Sequence, residues 1–522
     1  MKTLRSTCRF LFLFALLFSW LSPPTLTQAA SLTVNTLTDT IAADGLCTLR
    51  EAIVNANRDE AKYADCAAGS GADTITFGLS GTILLGSSLP TVDDPDGLTI
   101  DGAGQSVTIS GGDAYRVIHS SDTLVINHLT IADGYAALGL SGGGIYHCCD
   151  GTLTILNSTF TGNRAVQAGS GGGVYNYWGT LTIINSTFFD NHVNGAGGGV
   201  FGNHADVIIA NSTFSGNSAQ TEGGGAIYNE GGDFFITNST ISGNSAGLYS
   251  GGIQNTWNAT STLTNTVLSN NTFKNCHDGV FINGGHNLED GASCGWGSND
   301  GSLSGSNPLL GALTGSPAYF PLLNGSPAID AGDDIACAAP PISNQSQNGV
   351  PRPQWTHCDI GSYEYVDAIP PLVQSITRLD PNPTSATSLR FTVTFAEAVT
   401  GVDLSDFTLS VTGVTGASIL SLSGGPKVYT VLVDTGSGAG TIRLDVLDDD
   451  TVLDTWLHPL GGAGAGNGSY TDGEVYDVLA YRNFLPLTLR SGDTSNKVLG
   501  WGLFWISHRF LTKMALITLN GQ

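Results

Sequence analysis

Two aspartates, Asp206 and Asp233, lie 27 residues apart, each five residues ahead of an Asn-Ser-Thr triplet. If the chain stacks at that interval, their carboxylates fall on neighbouring rungs about 5 Å apart and face solvent. Paired carboxylates at such a spacing suit glycoside hydrolysis. With further oxygen ligands they suit Ca²⁺, and two solvated surface acids are the plainer reading of the same residues. A second column contains Tyr146, Tyr175, Phe201 and Tyr228, ending at Gln254. Aromatic rings at one position of successive rungs can form a strip that stacks on sugar rings or peptide side chains. They can equally be a structural ladder shielding the backbone.

Other chemistries fit less well. A lyase acting on uronates needs a base to abstract a proton and cations to hold carboxylates. Between Val117 and Phe273 the only Lys or Arg is Arg164, against eight acids. Gly139-Leu140-Ser141-Gly142-Gly143 fits GxSxG but opens a glycine-rich turn, not a strand-to-helix elbow. His119, His128, His147 and His204 share no repeat position, so they define no row of metal ligands. Asp448, Asp449, Asp450 and Asp454 read as an acidic turn, with Ca²⁺ binding as the alternative.

These columns exist only if the chain repeats. From Gly142 it reads GGGIYHCCDGTLTILNSTFTGN, and related units start at Gly171, Gly197, Gly224 and Gly251. The first asparagine of each NST-like triplet falls at Asn157, Asn185, Asn211, Asn238 and Asn265; a second series runs Asn163, Asn191, Asn217, Asn244 and Asn271. Apolar residues alternate within each unit, as in Leu181 and Ile183 or Phe234 and Ile236, which is strand periodicity. About 27 residues are too few for a domain, so a unit buries its apolar face only by stacking on the next, as a parallel β-solenoid does. At a bend, an asparagine amide can bond the same amide one coil away. The NST triplets also match the N-glycosylation pattern, a reading the regular spacing disfavours.

The 522 residues include 70 glycines, about twice the usual share, and charged residues make up only 12%. The formal charge of −25 excludes binding to nucleic acid through bulk electrostatics. Residues 1–30 read as a secretory signal: Lys2, Arg5 and Arg9, then the apolar run Phe10 to Leu21, then Thr27-Gln28-Ala29-Ala30. Export favours disulfides. Proximity suggests Cys47–Cys66, Cys276–Cys294 and Cys337–Cys358, while Cys148 and Cys149 have no evident partners. The expected layout is an N-terminal cap with first coils over 31–125, with a helix near Thr48–Asn57, and repeats over 126–275. A disulfide-pinned C-terminal cap follows over 276–366, and a sandwich of short antiparallel strands over 371–480. The 481–522 tail is too broken by His508, Arg509 and Lys513 to read as a membrane helix, and a peripheral anchor is the alternative to an untidy C-terminus.

The segment Cys47-Thr48-Leu49-Arg50-Glu51-Ala52 resembles the CSLREA motif of exported bacterial β-helix proteins, with Thr48 in place of the usual serine. The glycine-rich units followed by asparagine ladders resemble polymorphic outer-membrane-protein repeats. Asn307-Pro308-Leu309-Leu310, Gly325-Ser326-Pro327-Ala328-Ile329-Asp330-Ala331-Gly332 and Cys358-Asp359-Ile360-Gly361-Ser362-Tyr363-Glu364-Tyr365 are similar to the choice-of-anchor Q region. The stretch from Val399 to Leu409 resembles a bacterial Ig-like domain. The resemblance implies an all-β chain: a right-handed parallel β-helix of the pectin-lyase-like kind, then an Ig-like sandwich. It also implies export and association with the cell surface or outer membrane, and it implies no defined catalytic activity. The leading expectation is adhesion, or binding of a polysaccharide or surface-protein ligand, without a cofactor. The alternatives are a polysaccharide hydrolase or lyase using surface carboxylates, and a structural stalk.

Overall fold

The computed structural model describes residues 29–480 apart from 138, 298 and 299. The expected signal lies outside the described residues except for its last two, and the tail lies wholly outside them. Two compact units part between Ala368 and Ile369.

The first unit is a parallel β-solenoid. Each full coil passes through four strands, as in Ile145–Cys148, Thr152–Leu156, Thr159–Thr161 and Arg164–Ala165. Equivalent strands of successive coils pair in parallel and in register, giving two ten-stranded sheets, one of seven strands and one of five. Alternation decides which side chains turn inward. Leu153, Leu181, Val207 and Phe234 share one buried column, and Ile155, Ile183, Ile209 and Ile236 another. Phe160, Phe188 and Phe214 stack inside the core with centroids 4.7 and 4.9 Å apart.

Asparagine ladders close the bends. Asn163, Asn191, Asn217, Asn244 and Asn271 form a chain of Nδ2–H···Oδ1 bonds of 2.9–3.0 Å. Each of the four amides from Asn163 to Asn244 is fully buried. The NST asparagines occupy the turn between the two ten-stranded sheets, with φ of 47–51°, a left-handed backbone that asparagine tolerates better than most residues. The glycine runs have a different cause: a Cβ on Gly172 would lie 2.4 Å from the carbonyl oxygen of Gly198 in the next coil.

At the start, helix α1 (Leu49–Ala56) lays Leu49, Ala52, Ile53 and Ala56 against the first coil. Thr48 and Glu51 form its capping box. Arg50 pairs with Asp39 at 2.7 Å.

Two expectations for residues 276–366 change. The coils do not end at 275. Cys276–His277 pairs with the preceding rung, and Val280–Asn283, Leu288–Glu289 and Leu303–Ser304 extend both ten-stranded sheets. This coil is shorter and lacks the glycine run, so backbone pairing continues where the sequence signature stops. Residues 305–366 are then not an end cap but a strap laid back along the solenoid. Thr187 Oγ1 donates to Ala318 O at 2.5 Å, and Thr213 Oγ1 to Gln347 Oε1 at 2.6 Å. Ser362 N donates to Thr240 Oγ1, and Gly361 N to Asn265 O. The strap buries Asn211, Asn238 and Asn265, whose amide nitrogens bond Gln345 O, Cys337 Sγ and Asp333 O respectively. The acceptor triplets at Asn211 and Asn238 are therefore closed to glycosylation in the folded chain, and Asn265, followed by Thr266 and Val267, is not an acceptor site.

Within the strap, buried Arg352 donates to Asp359 O at 2.9 Å and Gly361 O at 2.8 Å beside the Glu364 carboxylate. Burial, reinforced by Glu364, pushes the Asp359 carboxyl up to about 7. Among the described residues the disulfides are Cys47–Cys66, Cys276–Cys294, Cys337–Cys358 and, between neighbours, Cys148–Cys149.

The second unit has a four-stranded antiparallel sheet and a three-stranded one around a shared core of Phe391, Val393, Phe395, Val431, Ile442, Leu444 and Tyr476. This arrangement is compatible with an Ig-like sandwich.

Candidate functional site

The seven-stranded sheet brings Tyr146, Tyr175, Phe201, Tyr228 and Gln254 into one row and adds His119 ahead of them. The four aromatic rings stack face to face, with centroids 5.6, 4.9 and 4.8 Å apart and interplanar angles of 4–20°. Arg116 lies 5.0 Å from the Tyr146 centroid, and His119 meets the same ring edge-on. Phe201 is only 5% exposed. Burial pushes the Tyr175 hydroxyl up to about 12, and Asn203 Nδ2 donates to it at 3.2 Å.

A sugar stacks on the face of a ring. In this row both faces of Tyr175 and Phe201 are already taken by their neighbours, so they offer only edges. The geometry favours a structural spine here over a stacking strip.

More exposed rings occur one turn further along the coil. The strands of the seven-stranded sheet end at Cys148, Tyr177, Asn203, Glu230 and Thr256, which pair in register. The residues that follow are Cys149, Trp178, His204, Gly231 and Trp257. All five have left-handed φ, between 51° and 78°, and so share one turn geometry. Trp178 N donates to Asn203 O, His204 N to Glu230 O and Gly231 N to Thr256 O. Trp178 stacks on His204 with centroids 5.3 Å apart, and Tyr177 meets Trp178 edge-on at 6.1 Å. Tyr177 is 41% exposed, Trp178 46% and Trp257 76%. Large aromatic rings so exposed on one edge of the solenoid are the kind of surface that marks contact with a partner.

Polar groups converge beside this row. Asn203 Oδ1 lies 2.6 Å from His204 Nδ1, and Asn203 Nδ2 donates to Glu230 Oε2 at 3.3 Å. Partial burial raises the Glu230 carboxyl above the ordinary range, and the neighbouring His204 lowers it. The Cys148–Cys149 disulfide sits one rung away from Tyr177 and Trp178. Sequence reasoning missed this row because the turn varies in length and residue type. The signal was the end of each strand, one or two residues past the conserved-looking alternation.

Asp206 and Asp233 are on adjacent rungs, and Asp233 N donates to Asp206 Oδ1 at 3.4 Å. Both are exposed on the outer face of a ten-stranded sheet, near exposed Ile208 and Phe235. In the second unit, Asp448 accepts from Asp450 N, Gly466 N and Gly468 N. Asp454 accepts from Trp456 N and His458 N. These carboxylates cap backbone donors, as an acidic turn does.

One further carboxylate is unusual. Asp94 is fully buried, its Oδ2 has no hydrogen-bond partner, and burial with neighbouring Asp73, Asp59 and Asp96 pushes it up to about 6.

These features define an all-β chain built on a right-handed parallel β-helix. A family model described as a right-handed β-helix region matches residues 143–291. No curated protein matches the chain. Among solved structures, the major cedar-pollen allergen jun a 1 is 16% identical, with 62% of this chain and 89% of that one covered and a TM-score of 0.31. Pectate lyase Pel9A is 13% identical, covering 65% and 97%, with a TM-score of 0.33. Among the described residues no helix is long and apolar enough to cross a membrane.

Proposed function

We propose that this protein is an exported, surface-displayed solenoid that binds a glycan through exposed aromatic rings and carries out no chemistry on it. The observation that carries this reading is the exposure of Trp178 and Trp257 in one row of turns, with exposed Tyr177 beside Trp178. Four disulfides support an oxidising, extracellular setting. A stiff solenoid with a ring-bearing edge is suited to adhesion, because the rigid scaffold holds its contacts in place without an ordering cost on binding.

The test is capture of the purified full-length protein on an array of polysaccharides and matrix proteins. The expected result is glycan binding that weakens in Tyr177→Ala and Trp178→Ala, with no release of reducing sugar. Turnover of a polysaccharide, abolished by Asp206→Asn, would overturn this reading in favour of a hydrolase.

A further inference from the structure

The turn row has a gap in it, and the gap has a size. His204 is covered on one side by Trp178, whose ring lies nearly parallel to it at 12°. On the next rung stands Gly231, with no side chain; a Cβ built there would lie 3.2 Å from His204 Cδ2 and Nε2, so the imidazole lies directly against this level. The rung after that carries Trp257, the most exposed ring of the row. His204 and Trp257 are therefore separated by two rungs, roughly 10 Å. Two van der Waals contacts of about 4 Å each take up most of that distance, leaving space for one ring between them and not for two.

We infer that His204 and Trp257 bracket a subsite for a single uncharged pyranose ring of a glycan chain, at the level that Gly231 leaves open. The inference rests on the glycan-binding reading above and specifies where and what it binds. The rim is polar on one side: Glu230 and Thr256 end the adjoining strands, and Glu230 accepts hydrogen bonds, which suits sugar hydroxyls. The same carboxylate, within a chain of formal charge −25, opposes a uronate or sulfated sugar. Stacking faces with a hydroxyl acceptor at the edge match a neutral sugar better than an aromatic peptide side chain, which has little use for the acceptor.

Two substitutions in the full-length protein test this. Gly231→Asn fills the level with a residue that tolerates a φ of +78°. Trp257→Ala removes one wall from a position so exposed that the fold has little stake in it. The probes are neutral hexasaccharides of glucose, mannose, galactose and xylose, a galacturonate hexamer, and a tryptophan-containing peptide, titrated by calorimetry. The expected result is binding of at least one neutral hexamer, weakened about tenfold or more by each substitution, with an unchanged melting temperature in Trp257→Ala and no binding of the galacturonate. Equal binding by the wild type and both variants would overturn the subsite while leaving the glycan-binding surface intact. Binding of no neutral hexamer, with an anionic glycan or matrix protein still captured, would overturn the subsite and leave adhesion standing. Preferential binding of the peptide, lost in Trp257→Ala, would reassign the gap to protein ligands.

Discussion

Asn217 sits in the middle of the buried amide ladder and is fully enclosed. Its Oδ1 accepts from Asn191 N at 3.2 Å and Asn191 Nδ2 at 2.9 Å, and its Nδ2 donates to Phe188 O at 2.8 Å and Asn244 Oδ1 at 2.9 Å. Asn217→Ala removes all four bonds and leaves their partners buried. At about 1 kcal/mol for each bond, the loss is roughly 4 kcal/mol. Asn217→Asp keeps the acceptor but turns a second oxygen toward Phe188 O and Asn244 Oδ1, and so costs more than alanine at neutral pH. Asn271 also makes four side-chain bonds, with Asn244 N, Asn244 Nδ2, Ile241 O and Asn275 Oδ1, but it is only partly buried, so water takes over some of them and Asn271→Ala loses less than Asn217→Ala. Urea unfolding of the solenoid transition measures all three. If Asn217→Ala costs under about 1 kcal/mol, or no more than Asn271→Ala, the ladder is a by-product of the coil and not a cause of it.

The remaining predictions concern other parts of the chain. Asp94 has a folded pKa of about 6, above its unfolded value, so the fold binds the extra proton between roughly pH 4 and 6 and loses stability as pH rises through that window. Asp94→Asn should therefore raise stability at pH 7.5 by on the order of 2 kcal/mol and change little near pH 4, read as melting temperature; a less stable variant at pH 7.5 would mean that a partner holds the carboxylate ionised. Replacing Cys337 and Cys358 by serine opens a link of sequence separation 21, costs about 3 kcal/mol, and speeds proteolysis within 305–366 relative to the coils. Tyr175→Ala should cost about 3 kcal/mol without changing glycan binding, and Tyr177→Ala should do the reverse; a loss of binding in the first with none in the second would return the ligand to the stacked spine. Asp206→Asn should leave both melting temperature and ligand capture unchanged.

Much of the solenoid was legible because two demands repeat at each coil. Inward residues such as Leu181 and Ile183 must be apolar, and bends such as those at Asn191 and Asn217 must satisfy buried polar groups, so both leave a periodic trace. The helix at Leu49–Ala56 was legible from its cap and its apolar face. The coil beginning at Cys276 was not, because parallel pairing needs only backbone once a template rung exists. The strap was not legible either. Its contacts, such as Thr213 with Gln347, join residues 134 apart and follow no period. At the site, sequence placed Tyr146, Tyr175, Phe201 and Tyr228 in one row correctly. It could not show that the rings face one another, since that depends on side-chain tilt and not on register. The row at Trp178, His204 and Trp257 has unlike residues in like positions, and only backbone geometry reveals their equivalence.

The strap bonds Thr187, Thr213, Thr240 and Asn265, which lie on four successive rungs. It therefore works as a ruler for the part of the stack it spans. Duplicating or deleting a whole coil ahead of Thr187 leaves every anchor in place, whereas the same event between Thr187 and Asn265 displaces some anchors by a full rung. The strap thus sets no limit on the number of rungs at the N-terminal side, while the four measured rungs, which include the turns of His204, Gly231 and Trp257, are held to a fixed length.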